Sequence, residues 1–284
     1  MRVVALLLTI FLLSSVSRES KILELDLHEA IAQNVISWQG LATGNYDGES
    51  IKAKIKNLSR KKVRILIPAG TYFRAEATDE QNLVTTEDLI VELNPSSGSS
   101  KVLNGFCFNA SKRCPGEGKA FTPEKKTNEE LVALTKFLKG KKYDNDVLQS
   151  AVWTISDRRS ISSVYGKDQD AILALREELS KITGLKNPWY SSPERRSLDR
   201  NRNINRETVM VHGDIRFECP EGAKVHQEIR DAAGNVKAKD EETPLRAGNV
   251  RYRFNVQVRG WERGTYFVKL MNGDQELVSR EFEI

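Results

Sequence analysis

Two short stretches of this chain hold the residues best suited to covalent chemistry: Phe106-Cys107-Phe108, and Gln149 with Trp153 four residues on. A thiolate within bonding reach of a glutamine carboxamide attacks its carbonyl carbon and expels ammonia, leaving an internal thioester. The reaction needs a thiol that loses its proton and a site that keeps water from hydrolysing the product. Phe106, Phe108 and Trp153 are the aromatic side chains that would shield such a bond. A thioester stores reactivity toward an incoming amine, so the protein would attach covalently to a partner's lysine. Cys107 has two other readings, a disulfide to Cys114 seven residues later and an inert core thiol. Cys219 is the third cysteine, and an odd count leaves at least one thiol unpaired within the chain.

Other chemistries find less support in the sequence. His28, His212 and His226 are the only histidines available as bases for a Cys–His pair, and none lies in a nucleophile motif. They are scattered, and no Cys/His cluster has ligand spacing, so no metal is expected. Asp144, Asn145 and Asp146 lack the glycine and terminal glutamate of a calcium loop; acids at a helix N-terminus explain them. Asp157, Arg158 and Arg159 read as a solvated helix end. No glycine-rich phosphate loop appears. The chain is read as a non-enzyme without a cofactor.

The elements that must position Cys107 and Gln149 follow from periodicity. Apolar and basic residues alternate strictly in Ile51-Lys52-Ala53-Lys54-Ile55-Lys56, as on a half-buried strand. Val63, Ile65 and Ile67 repeat the pattern before the turn Pro68-Ala69-Gly70 and the strand Thr71-Tyr72-Phe73. Leu83 to Leu93 is a further β-rich run, and a strand from Lys101 to Phe108 carries Cys107. Together these predict a β-sandwich or barrel. A short helix is expected over Leu25–Gln33. Three more follow the barrel: one behind the capping signature Thr127-Asn128-Glu129-Glu130, ending at Gly140; one over Asp146–Ser156; and one over Asp168–Ile182, ending at Gly184. Wound at about 100° per residue, the second of these sets Val147, Leu148, Ala151, Val152 and Ile155 on one face. Gln149 and Trp153 fall together on the other; a helix apolar on two sides is normally buried on both, so an amide beneath an indole could face the strand of Cys107. The fold class is α+β.

Residues 191–207 (SSPERRSLDRNRNINRE) have almost no large apolar side chains and read as a linker. Strands are then expected from Val209 to Phe217, Val225 to Arg230, Val250 to Val258, Thr265 to Met271 and Glu276 to Ile284. Hairpin turns are expected at Ala233-Gly234-Asn235 and Asn272-Gly273-Asp274. This reads as a separate all-β sandwich over residues 208–284.

The first 17 residues show an early arginine, the apolar run Val3–Leu13 and small residues at Ser15 and Ser17, the layout of a secretory leader. The run is shorter than the roughly 20 residues of a spanning helix. The expected organisation is a leader over 1–17, an α+β domain over 18–190, the linker and the sandwich. The expected location is outside the cytoplasm: secreted, cell-surface or periplasmic. Lys and Arg outnumber Asp and Glu by only 44 to 39, and no basic stripe is interleaved with aromatics, so a nucleic-acid partner is not expected. A surface protein or an anionic glycan fits better.

Phe106-Cys107 at a strand end, followed by Gln149-Ser150-Ala151-Val152-Trp153 on a helix, resembles the thioester domains of bacterial surface adhesins. Leu148 stands where that family usually has Thr, and Cys114 is an additional thiol. The resemblance implies a β-barrel or sandwich with a helical subdomain, a cross-link between Cys107 and Gln149, and covalent capture of a surface amine. From Leu27 through Ser163 the chain also resembles a group of exported bacterial proteins that share IPAGT-, GFC- and QxAVWxISD-like segments. The C-terminal stretch, Gly264 to Leu270 with Asn272-Gly273 and Ser279 to Phe282, resembles immunoglobulin-like domains and the sorting domain of type IX secretion. Those likenesses imply an accessory module that spaces, docks or sorts the first domain.

Overall fold

The computed structural model describes residues 22–125 and 128–284. The expected leader and Thr127 of the expected capping signature lie outside the described residues. The chain opens with β1 (Leu23–Asp26), α1 (Leu27–Ala32), β2 (Ile36–Ala42), β3 (Glu49–Asn57) and β4 (Val63–Ile67). It continues through β5 (Tyr72–Ala75), β6 (Asn82–Thr85), β7 (Leu89–Leu93), β8 (Gly98–Phe108) and β9 (Ala120–Glu124). Six of these strands close a barrel in the order β2-β3-β8-β6-β5-β9, and β1, β4 and β7 form a small sheet. Closure leaves no free sheet edge around the barrel.

The alternation in β3 works as expected. Ile51, Ala53 and Ile55 are buried with Val63, Ile65 and Ile67 in one core, while Lys52, Lys54 and Lys56 face solvent. Each such isoleucine contributes about 1.5–3 kcal/mol by leaving water. The apolar run Leu83–Leu93 is two strands rather than one. It breaks at Thr86-Glu87-Asp88, where the Asp88 carboxylate accepts the Ala69 N–H at 2.8 Å. β6 then joins the barrel and β7 the small sheet.

Helices α2 (Glu129–Leu138), α3 (Asn145–Asp157) and α4 (Gln169–Thr183) follow. Asn128 caps α2 by accepting the Leu131 N–H, Asp168 caps α4 through the Ala171 N–H, and left-handed Gly184 ends it. Their apolar faces form a second core that also takes Phe106 and Phe108 from β8. Successive residues of a strand point to opposite faces, so Cys107 turns into the barrel core while its two neighbours hold the helices. β8 is the wall between the two cores.

The segment read as a linker is ordered structure. β10 (Tyr190–Ser191) pairs with the sandwich, and β11 (Glu194–Leu198) and β12 (Ile204–Thr208) form an antiparallel hairpin. The hairpin stands apart as its own two-stranded sheet. Its single buried aliphatic side chain, Ile204, enters the same core as Cys107, Cys114 and Trp153. Asp199 closes the tip by accepting the N–H groups of Asn201 and Asn203, both at 2.8 Å. Composition misled here because the hairpin is held by arginines rather than by an apolar face.

The remainder is β13 (Met210–Cys219), β14 (Lys224–Asp231), β15 (Val236–Lys239), β16 (Thr243–Pro244), β17 (Gly248–Gln257), β18 (Thr265–Asn272) and β19 (Gln275–Glu283). Sheet β10-β13-β17 faces sheet β15-β14-β18-β19, with β16 on β14. Tyr190, Ile215, Ile229, Phe254, Tyr266 and Phe282 lie in the core between them. Gly234 and Gly273 take positive φ at the two expected hairpin turns. Where the chain crosses between the units, buried Arg176 of α4 donates to Asn187 Oδ1, Ser191 Oγ and the carbonyls of Pro188 and Tyr190 at 2.7–3.0 Å. Among the described residues, no helix is long and apolar enough to cross a membrane.

Candidate functional site

The pairing of β8 with β3 ends at Asn104, opposite Glu49. Beyond it, the edge of β8 that faced β3 is served by the loop before β3. The Gly105 N–H donates to Gly48 O at 2.7 Å, and the Cys107 N–H to Tyr46 O at 3.1 Å. Residue 105 has to be small for this approach, because a Cβ there would sit 2.5 Å from Ser50 Oγ.

Gln149 completes the same edge from α3. Its Oε1 accepts the Cys107 N–H at 2.9 Å, and its Nε2 donates to the Cys107 carbonyl at 2.8 Å. The carboxamide thus docks on the Cys107 main chain as a neighbouring strand would, and the Cys107 N–H is shared between it and Tyr46 O. Both residues are fully buried. The helical face expected from the sequence is realised: Val147, Ala151, Val152 and Ile155 enter the helical core, and Trp153 joins the core of Cys107.

The Cys107 sulfur lies two bonds beyond the Cα whose flanking N–H and C=O hold the carboxamide. It also adjoins the Cys114 thiol, and all three cysteines are unbridged. Burial, and then the neighbouring Cys114, push the Cys107 thiol well above the usual cysteine range. Cys114 moves the other way. The hydrogen bond from Cys107 lowers it against its own burial, and Arg202 adds to the lowering. The two sulfurs are therefore unequal: Cys107 is the weaker acid of the pair and Cys114 the stronger.

Three arginines of the β11–β12 hairpin complete the site, and sequence reasoning missed all three. Arg196 and Arg206 are cross-strand partners, and their guanidinium carbons lie 5.0 and 5.2 Å from the Trp153 ring. Such stacking is worth about 0.5–2 kcal/mol per cation. Arg196 also donates to Asp146 O at 3.1 Å and to Ser150 Oγ, tying the hairpin to α3. At the tip, left-handed Arg202 directs Nη2 to Cys114 Sγ at 3.3 Å and Nε to Cys114 O at 3.1 Å. The signal available in the sequence was Asp199-Arg200-Asn201-Arg202-Asn203, turn-forming residues between two alternating stretches.

Other expectations need correction. Of the three aromatics expected to shield Cys107, only Trp153 shares its core; Phe106 and Phe108 face the helices on the opposite side of β8. Asp157 is not simply a solvated helix end, since it accepts the N–H of Ala110 just past β8 at 2.8 Å. Arg159 is paired with Glu194 at 2.6 Å. Asp144 is the N-cap residue of α3, and Asp146 lies in its first turn, 3.7 Å from Arg196. His28 lies on α1, whereas His212 and His226 belong to the sandwich. Among the described residues, no group of three or more His, Cys, Asp or Glu has an arrangement that would hold a metal ion.

A cavity of about 600 Å³ abuts the seam between β8 and α3. Its wall includes Phe106 and Leu148, the residues immediately before Cys107 and Gln149, together with Glu87, Asp88 and Lys142. Compared with protein-family models and with curated proteins, the chain matches none of them. What the fold and site define is a mainly β, α+β protein in which a buried carboxamide binds the main-chain N–H and C=O of a buried cysteine.

Proposed function

We propose that this chain is an exported surface-binding module that attaches to a partner amine through an internal thioester between Cys107 and Gln149. The observation that carries the reading is the seating of the Gln149 carboxamide on the Cys107 peptide. Attack by Cys107 Sγ on Gln149 Cδ turns Oε1 into an oxyanion. The Cys107 N–H already donates to that oxygen, so the donor is in place where charge develops. The C–N bond then breaks and ammonia leaves. The complete burial of Cys107, Gln149 and Trp153 supports a product protected from water.

In the second stage an amine attacks Cδ, the Cys107 thiol is released, and an amide joins the partner to Gln149. The chain is consumed in this step, so it acts once and is not an enzyme. The partner class is an amine-bearing surface protein or glycan, approaching along the cavity walled by Phe106 and Leu148. The C-terminal sandwich serves as the spacer, docking or sorting module. Intact-mass measurement of the mature protein tests the reading. The expected result is the loss of one ammonia, abolished by Cys107→Ala and by Gln149→Ala, with methylamine taken up at Gln149.

A second reading rests on the adjoining thiols of Cys107 and Cys114. Oxidation would join them, leaving a structural or interaction protein with no reactive bond. That protein would lack two hydrogens, regain them with reductant and ignore methylamine.

A further inference from the structure

Thioester formation leaves one step unassigned, because the Cys107 thiol has to lose a proton at a place where burial opposes its charge. We propose that Cys114 takes that proton and passes it to the departing ammonia, with Arg202 as the residue that positions and charges Cys114. This inference rests on the thioester reading and assigns the proton path within the same site.

The geometry around Cys114 carries the argument. Arg202 grips this one residue at three points: its carbonyl accepts the Cys114 N–H at 2.8 Å, its Nε donates to Cys114 O at 3.1 Å, and its Nη2 lies 3.3 Å from Sγ. The same Nη2 also donates to Gly44 O, which anchors the guanidinium beside Cys114. A half-buried cation this close to sulfur favours the thiolate. Cys107 lies in the same buried core, and its thiol is the neighbour that most lowers Cys114. The other ionisable groups facing the pair are Glu80, which opposes the Cys114 thiolate, Asp47, which opposes a charge on Cys107, and Tyr46.

The step balances without an added reagent. The Cys107 S–H proton moves to the Cys114 thiolate, and the Cys107 thiolate adds to Gln149 Cδ. The Cδ–Nε2 bond breaks, and the leaving NH₂ takes the proton from Cys114, which returns to its thiolate. Cys114 is then a proton carrier for the bond rather than a rival for Cys107, and the tip of the hairpin belongs to the reactive site. The same pair explains how the site is lost: an oxidant that joins Cys107 to Cys114 removes nucleophile and proton acceptor together.

The test uses the full mature chain, refolded from urea under reductant and quenched into acid at intervals for intact mass. Thiolate absorbance in the ultraviolet is titrated against pH in parallel. A positioned general base contributes about 10²–10⁴-fold to a rate. Cys114→Ser is therefore expected to slow ammonia loss at least 100-fold while circular dichroism remains that of the wild type. Arg202→Gln is expected to slow it about tenfold and to move the lowest thiolate titration upward. Arg202→Lys should restore part of both effects, which a merely structural role would not produce. Ammonia loss in Cys114→Ser at the wild-type rate overturns the relay, as does a thiolate titration unmoved by Arg202→Gln. Wild-type protein that never loses ammonia overturns the thioester reading itself, a result distinct from either.

Discussion

Gln149 binds both main-chain polar groups of Cys107, as acceptor from its N–H at 2.9 Å and donor to its carbonyl at 2.8 Å, with no solvent at either residue. A side chain 42 positions along the sequence thereby does the work of a missing strand. The arrangement has a stability consequence whether or not the two residues react. In a Cys107→Ala background, where no cross-link forms, Gln149→Ala leaves the Cys107 carbonyl buried without its donor. Each such orphaned group costs about 1–3 kcal/mol. Urea unfolding of the two variants should show Cys107→Ala/Gln149→Ala less stable than Cys107→Ala by that amount or more.

The hairpin of residues 194–208 should resist protease despite its composition. Arg196, Arg202 and Arg206 are engaged with α3, Cys114 and Trp153, and Ile204 is buried. Trypsin acting on the native protein is expected to leave these sites uncut. Ile204→Ala removes the hairpin's only buried aliphatic anchor, a change worth about 2–5 kcal/mol in a core. Cleavage between residues 194 and 208, mapped by mass, should then accelerate at least tenfold, since roughly 1.4 kcal/mol of local opening already gives that factor.

Arg176 is buried, has no carboxylate partner among the described residues, and answers four acceptors where the chain passes into the sandwich. Burial lowers its pKa to about 10, which still leaves it charged at neutral pH. Arg176→Met keeps much of the volume and removes every donor, stranding the Pro188 and Tyr190 carbonyls. The expected loss is about 2–4 kcal/mol, read from denaturant unfolding, with part recovered in Arg176→Lys.

Glu228 supplies the clearest pH dependence. Hydrogen bonds from Arg230, then Lys239, with His226 adding to them, hold its carboxyl down at about 2, against an ordinary 4.5. A folded pKa below the unfolded one means that the unfolded chain binds the proton first as pH falls. The stabilisation is therefore complete above about 4.5 and disappears as pH drops toward 2. Glu228→Gln should flatten the acid limb of the stability curve in that window, measured as thermal midpoint against pH.

Much of the fold was legible in sequence because its signals are local. The alternation of Ile51, Ala53 and Ile55 with lysines specifies a strand with one buried face. The spacing of Gln149 and Trp153 places both on one side of α3 whatever the helix packs against. Leu83–Leu93 shows itself in sequence only as a β-rich run, because periodicity does not show that Asp88 will cap the turn at Ala69 and send its two halves into different sheets.

The sequence alone determined four of the six barrel strands (β3, β5, β6 and β8, but not β2 or β9), the three helices after them and the two-faced character of α3, since repeat periods of two and 3.6 residues depend only on backbone geometry. Tertiary structure decided which face of β8 each residue of Phe106-Cys107-Phe108 would occupy, and so that Trp153, not the phenylalanines, accompanies the thiol. It also decided that an arginine-rich stretch, polar enough to pass for a tether, would fold back to cover Trp153 and Cys114. Cation–ring and guanidinium–sulfur contacts have no period and little hydrophobic signature, so they exist only once distant segments meet.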